Sequence, residues 1–238
     1  MPLQGKTVII TGASAGLGKA AATTFAKEGA NLVIAARRPE KLSEATKAVE
    51  SKGAKVLAVP TDVSQFEQVE QLVQKTQEMF GRVDVLINNA AIDYPAPLTD
   101  LTPSQWNEII AVNLSGVFYT CKLVFPIMMQ QQGEGECIIN ISSVAGKKGW
   151  KNATAYCATK FALTGFTQAL NEEGKSHNIC CSVVYPGGMD TEWYSSPVSN
   201  PLIDPVVVAK FLVAMVTLDP RFVVNEAVVT PIGEAGYP

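Results

Sequence analysis

The sequence predicts an α/β fold, a parallel seven-stranded sheet with helices on both faces. Short apolar runs rich in Val, Ile and Leu recur along the chain, helical stretches separate them, and no repeat, linker or change of composition divides the 238 residues. Strands that are apolar on both sides belong to sheets covered on both sides, and helical crossovers make neighbouring strands parallel. The first strand, Thr7–Thr11, runs into the glycine turn Gly12-Ala-Ser-Ala-Gly16-Leu-Gly18, after which a helical pattern begins. The second, Asn31–Ala35, ends at Ala36-Arg37-Arg38-Pro39, and the third, Lys55–Val59, is followed by Asp62-Val63. The fourth, Val83–Asn88, passes into Asn89-Ala90, and the fifth, Cys137–Ile141, into Ser142-Ser143. The sixth, Ile179–Val184, leads to Pro186-Gly187, and Ala227–Thr230 is the seventh. One domain over residues 1–238 accounts for all of them. The least regular stretch, Gly187 to Pro205, follows the sixth strand. In such sheets ligands bind beyond the carboxyl ends of the strands, so this stretch is the expected substrate lid.

Two motifs carry chemistry. A glycine turn between a first strand and a first helix lets backbone amides approach a pyrophosphate, and the helix N-terminus adds partial positive charge. Tyr156 and Lys160 lie four residues apart, on one face of a helix, so the ammonium can lie beside the phenol. A free tyrosine ionises near pH ~10, and a neighbouring cation is one way to bring it into range for general acid or base work. Alone, such a pair is also what any amphipathic helix offers. Its weight comes from standing on the same chain as the glycine turn.

Together these motifs resemble the short-chain dehydrogenase/reductase family, in its compact one-domain branch, and the likeness runs nearly end to end. It rests on Thr11-Gly12-x-x-x-Gly16-x-Gly18, Asp62-Val63, Asn88-Asn89-Ala90, Asn113, Ser143, Tyr156-x-x-x-Lys160 and Pro186-Gly187. Ser143 stands thirteen positions before Tyr156, as the family pattern requires, which selects it over Ser142. The chain departs from the pattern at Ala91, where the family usually has glycine. The resemblance implies a doubly wound Rossmann fold that binds a nicotinamide dinucleotide. It implies Ser143 as the hydroxyl that polarises a carbonyl, Tyr156 as general acid/base, Lys160 as the cation that lowers the tyrosine pKa and holds the ribose, and Asn113 as support for a proton-relay water. It also implies cofactor contacts from Thr11, Gly12, Ser14, Ala15, Gly16, Leu17 and Gly18, from Asp62 and Val63 at the adenine, from Asn89 and Ala90 beside the ribose, and from Pro186, Gly187 and Thr191 at the carboxamide.

The end of the second strand bears on cofactor choice. A carboxylate there would accept the ribose 2′-hydroxyl and repel a phosphate. Ala36 takes that place, with Arg37 and Arg38 next, so a 2′-phosphate would meet charge-assisted donors and NADP(H) is the expected cofactor. The expected reaction interconverts a ketone or aldehyde and an alcohol. Expected pocket walls are Tyr94, Ala145, Trp150, Met189, Trp193 and Tyr194, an uncharged, partly aromatic set suited to an apolar or aromatic carbonyl compound. A non-catalytic NADP-binding regulator and a nucleotide-sugar epimerase-like enzyme are the competing readings.

Composition excludes other classes. With 17% charged residues and a net charge of -3 there is no electrostatic footprint for nucleic acid. The late apolar stretch Val206–Val216 is interrupted by Lys210 and is shorter than the ~20 residues of a membrane span, and no signal peptide is visible, so a cytoplasmic protein is expected. Cys121, Cys137, Cys157, Cys180 and Cys181 have neither metal-ligand spacing nor a pairing logic and read as reduced. His177, the one histidine, lies in a polar stretch without hydrolase context. The resemblance implies a homo-oligomer, dimer or tetramer, consistent with the apolar helical stretch Val112–Met129.

Overall fold

The computed structural model describes residues 1–131, 135–193, 202–219 and 221–233. Its strands are β1 (Thr7–Thr11), β2 (Asn31–Ala36), β3 (Val56–Pro60), β4 (Val85–Asn88), β5 (Glu136–Ile141), β6 (Ile179–Pro186) and β7 (Glu226–Val229). All pairs are parallel, in the order β3-β2-β1-β4-β5-β6-β7. The chain steps outward from β1 to β3, then returns to β4 on the other side of β1 and steps outward again. That reversal opens a crevice at the carboxyl ends of β1 and β4.

The helices are α1 (Gly16–Lys27), α2 (Pro39–Glu50), α3 (Phe66–Phe80), α4 (Pro103–Ile110), α5 (Gly116–Gln131), α6 (Thr154–Gly174) and α7 (Pro205–Val216). Alternation along each strand divides the core into two layers. Val8, Ile10 and Ile34 pack with Phe25 of α1, Leu42 of α2 and Leu212 of α7. Ile9, Val33 and Leu86 pack with Leu72 of α3, Val124 of α5 and Leu163 of α6. Each such fully buried side chain contributes roughly 1.5–3 kcal/mol, and a core on both faces fixes the strand ends that carry the site. The adjacent Cys180 and Cys181 fall into opposite layers, as strand alternation expects, and all five cysteines are free.

Strand β4 begins two residues later than the apolar run from Val83 suggests. The Gln131 side chain, at the end of α5, accepts from the Val83 amide at 2.7 Å and donates to its carbonyl at 2.9 Å, taking both groups from the ladder. Next to it, buried Asp84 accepts from the Thr7 amide at 2.8 Å and pairs with Lys6 at 3.0 Å and Arg82 at 2.6 Å. Burial pushes this carboxyl up, but the hydrogen bonds from Arg82, Thr7 and Lys6 outweigh it and hold the group below its usual value. This cluster ties the amino ends of β1 and β4, opposite the crevice.

Between α4 and α5 the chain takes one π turn, Ala111–Ser115, with Asn113 at its middle. The combined run Pro103–Gln131 is long and apolar enough to cross a membrane by length and composition. Its stripe Val117, Cys121, Val124 and Met128 is buried against the sheet, the arrangement of a core helix. At the other edge, Met189 and Ile203 form a bridge, with Asp190 N to Ile203 O and Ile203 N to Gly188 O both 2.9 Å. The two ends of the expected lid are thus joined at their base. Tyr194 and the stretch to residue 201 lie outside the described residues.

Candidate active site

The glycine turn is shaped by close approach. At Gly12, with φ +65°, an added Cβ would stand 2.8 Å from Ala90 Cα, and at Gly18 it would stand 2.3 Å from the Gly12 carbonyl oxygen. Only a residue without a side chain lets the turn after β1 meet the turn after β4 and lets α1 rise so close beneath it. Thr11 and Asn89 sew the two turns together. Thr11 Oγ1 accepts from the amides of Asn89 at 3.0 Å and Ala90 at 3.2 Å, and Asn89 Nδ2 donates to the carbonyls of Thr11 at 3.0 Å and Gly12 at 3.2 Å. Behind them Asn88 Nδ2 donates to Asn140 Oδ1 at 2.9 Å and Thr120 Oγ1 donates to Asn88 Oδ1 at 2.7 Å, a buried network across β4, β5 and α5. Ala91 lies outside the left-handed region, so the departure from glycine there needs no special backbone.

Above the turn opens a cleft of about 780 Å³. Gly12, Ser14, Ala15, Gly16 and Leu17 form its floor, while Thr11 and Gly18 hold the floor without lining it. Ala15 gives α1 no side-chain cap, so the first amides of that helix are left for an anion. Ala36, Arg37, Arg38, Asp62 and Val63 line one end. Asp62 Oδ1 accepts from the Ser64 amide at 3.0 Å and hydroxyl at 2.7 Å, which fixes the entry to α3. Ser143, Tyr156, Lys160, Pro186, Gly187 and Thr191 line the other end, and an added Cβ at Gly16 would lie 3.3 Å from Thr191 Cγ2. A floor that side chains would fill, an uncapped helix start and two guanidiniums fit an extended dinucleotide with phosphate at its centre.

Tyr156 sits in the first turn of α6 and Lys160 one turn later. Lys160 is only 2% exposed; its Nζ donates to the Ile141 carbonyl at 2.9 Å and lies 5.4 Å from the centre of the Tyr156 ring. Ser142 Oγ donates to the Lys160 carbonyl at 2.9 Å, so Ser142 anchors the loop after β5 onto α6. Gly146 permits that seat, since a Cβ there would come within 2.5 Å of Ser142 Oγ. Ser143 Oγ accepts from the Ala145 amide at 3.1 Å, which leaves its proton to be donated. Burial pushes the Lys160 ammonium down from 10.5 to about 7, against the opposing pull of Asp93.

One expectation, at Tyr94, needs correction. Asn113 does not line the cleft: it is 1% exposed, and its side chain accepts from the Ile92 amide and donates to the Ile92 carbonyl, both at 2.8 Å. Its side-chain amide, which also donates to Thr159 Oγ1 at 3.4 Å, holds the loop after β4 against α6. Tyr94 also does not line the cleft, because its hydroxyl donates to Glu108 at 2.7 Å on the outer side. The preceding residue, Asp93, lines the cleft instead. The lining around the expected pocket walls is therefore not uncharged, since Lys151 and Glu192 line the cleft as well. An acidic residue shortly after Asn88-Asn89-Ala90 was the available signal, but nothing local says which side chain of that loop turns inward. Ala145, Trp150, Met189 and Trp193 line the cleft as expected, with the Trp193 ring 5.8 Å from that of Tyr156. His177 is not among the lining residues.

A family model described as short chain dehydrogenase matches residues 6–200. The chain belongs to the short-chain dehydrogenase/reductase family. Its relatives include an uncharacterized oxidoreductase of Staphylococcus aureus (strain MRSA252), 33% identical over 97% of this chain and 99% of that one. The short chain dehydrogenase/reductase astE of Aspergillus oryzae is 40% identical over 80% of this chain and 73% of that one. Among solved structures, the 3-ketoacyl-(acyl-carrier-protein) reductase of Brucella melitensis, complexed with NADH, is similar with a TM-score of 0.90 at 26% identity, covering 95% of this chain and 97% of that one. A metagenomic short-chain oxidoreductase in complex with NADP gives a TM-score of 0.85 at 29% identity, covering 97% and 99%. This short-chain dehydrogenase/reductase is thus an oxidoreductase by family, and its seven-stranded parallel sheet is the family's Rossmann fold.

Proposed function

We propose that this oxidoreductase is NADP(H)-dependent and interconverts a small ketone or aldehyde with the corresponding alcohol. The observation that carries this reading is the convergence of Ser143, Tyr156 and buried Lys160 in one cleft with the glycine floor. When bound, the nicotinamide supplies the hydride in reduction and accepts it in oxidation. Everything else falls to the protein. The Ser143 hydroxyl and the Tyr156 phenol donate to the carbonyl oxygen, where negative charge develops, and Tyr156 gives up its proton to it. Lys160 stabilises the phenolate left behind and donates to the nicotinamide ribose. In alcohol oxidation the phenolate takes the proton back. Asn113 is a positioning residue in this scheme, acting through Ile92 on the loop that walls the site.

Preference for NADP(H) rests on Ala36, Arg37 and Arg38. No carboxylate occupies the end of β2, and the two guanidiniums line the cleft where an adenosine ribose would carry its 2′-phosphate. Asp62 and Val63 flank the adenine, Asn89 and Ala90 the ribose, and Thr191 with Pro186 and Gly187 the carboxamide. We also read the protein as a cytoplasmic homo-oligomer. Its cysteines are free, and α4, α5 and α6 present Trp106, Phe118 and Phe161 outward.

The test is Tyr156→Phe, followed by the absorbance of NADPH with a panel of small ketones. Turnover should fall by at least ~10²–10³-fold, the typical loss of one preorganised donor, while NADPH binding measured by fluorescence stays within a few-fold. Turnover within tenfold of the parent would overturn the assignment.

A further inference from the structure

We infer that Asp93 selects the substrate: it accepts a hydrogen bond from a hydroxyl or ammonium borne beside the reacting carbonyl, and it turns away carbonyl compounds that carry a carboxylate there. This rests on the carbonyl reductase reading and adds to it the class of compound accepted. Asp93 lines the same cleft as Ser143, Tyr156 and Lys160, and Trp150, Lys151, Glu192 and Trp193 line it too. Its place is fixed from both sides. Ile92 is held by two hydrogen bonds to Asn113, the Ala96 amide donates to the Asn152 carbonyl at 2.9 Å, and the outward turn of Tyr94 is secured by Glu108. A side chain on such a loop is preorganised, so little freedom is lost when a ligand meets it.

The carboxylate is only half satisfied. Oδ1 accepts from the Tyr94 amide at 2.8 Å, whereas Oδ2 has no hydrogen bond among the described residues. Asp93 also takes part in none of the ion pairs found among those residues. Lys160 acts on it electrostatically, from beyond ion-pair distance. Partial burial pushes the carboxyl up, and the Tyr94 amide and Lys160 charge do not fully offset that. Once a substrate and cofactor exclude water, a carboxylate oxygen with no donor is costly, so the substrate that supplies a donor is favoured over an isostere that does not. A carboxylate on the substrate would stand against the same charge in a medium of low dielectric and be rejected.

The experiment compares matched aryl ketones: α-hydroxyacetophenone, α-aminoacetophenone, propiophenone as the apolar isostere, and benzoylformate as the anion. With NADPH, the wild type should prefer the two donor-bearing ketones to propiophenone. Asp93→Ala should lower kcat/KM for those two by about 10–100-fold and move propiophenone by less than about threefold. Asp93→Asn keeps an acceptor of the same size without the charge. It should retain part of the hydroxyketone rate, lose the aminoketone rate, and raise benzoylformate by about tenfold relative to propiophenone. An aminoketone rate retained by Asp93→Asn would overturn the ammonium half of the proposal and leave the hydroxyl as the donor. An equal factor on every ketone would overturn the proposal, because it would reduce Asp93 to a counter-charge for Lys160. If the wild type turns over none of them, the reductase reading fails separately. Selection is then decided by quenching of tryptophan fluorescence in the NADP-loaded protein, where equal affinities for the hydroxyketone and propiophenone in wild type would overturn it.

Discussion

Replacing Lys160 by Met should change how stability depends on pH, with a sign that follows from proton counting. The ammonium is buried, keeps one hydrogen bond to the Ile141 carbonyl, and burial brings it from 10.5 to about 7. Between those values the unfolded chain carries the lysine proton and the folded apoprotein does not. Raising the pH through this window therefore stabilises the fold, and lowering it toward neutrality imposes the cost of a charged group out of water. A displacement of that size corresponds to a cost on the order of 5 kcal/mol below pH ~7, relieved by about 1.4 kcal/mol per pH unit on the way to pH ~10. Lys160→Met has no charge to desolvate but leaves the Ile141 carbonyl without its donor, a loss of about 1–3 kcal/mol that does not vary with pH. Urea denaturation of both apoproteins at about pH 6, 8 and 10 separates the two effects. The variant should be the more stable near pH 6, and its advantage should shrink or reverse by pH 10. A difference between the two proteins that stays constant across this range would refute the reasoning, because titrating groups that Lys160 does not act on cancel in it.

Two further outcomes are expected. Arg37→Ala should raise the KM for NADPH by about 10–100-fold and leave NADH nearly unchanged, since the exposed contact of Arg37 with Glu108 at 3.9 Å contributes little by itself. Equal losses for the two cofactors would remove the basis for the NADP(H) assignment. Sedimentation of the wild type should show a dimer or tetramer, and Phe118→Glu, which puts a charge on a ring 45% exposed in the single chain, should dissociate it. A wild type that sediments as a monomer would count against the assembly reading.

Much of the fold was legible because it is encoded locally. Six of the seven strands begin within one residue of where the apolar runs place them, and β4 starts later, where the Gln131 side chain at the end of α5 claims Val83. The glycine turn was equally legible. Gly12 and Gly18 are needed for sterics that any chain would meet in packing two turns and a helix so closely. The loop after β4 was not legible in the same way. The inward turn of Asp93 and outward turn of Tyr94 depend on Asn113, Asn152 and Glu108, which belong to other parts of the chain.

The residue types alone settled the doubly wound sheet, the glycine turn and the helical spacing of Tyr156 and Lys160, because strand alternation, backbone sterics at glycine and the helical repeat operate over a few neighbouring residues. Tertiary packing decided how deeply Lys160 is taken from water, that Asn113 spends its amide on Ile92, and that the Asp93 carboxylate lines the cleft. Burial, side-chain direction in irregular loops and the field at an ionisable group depend on what the rest of the chain brings alongside, and no short stretch of sequence contains that information.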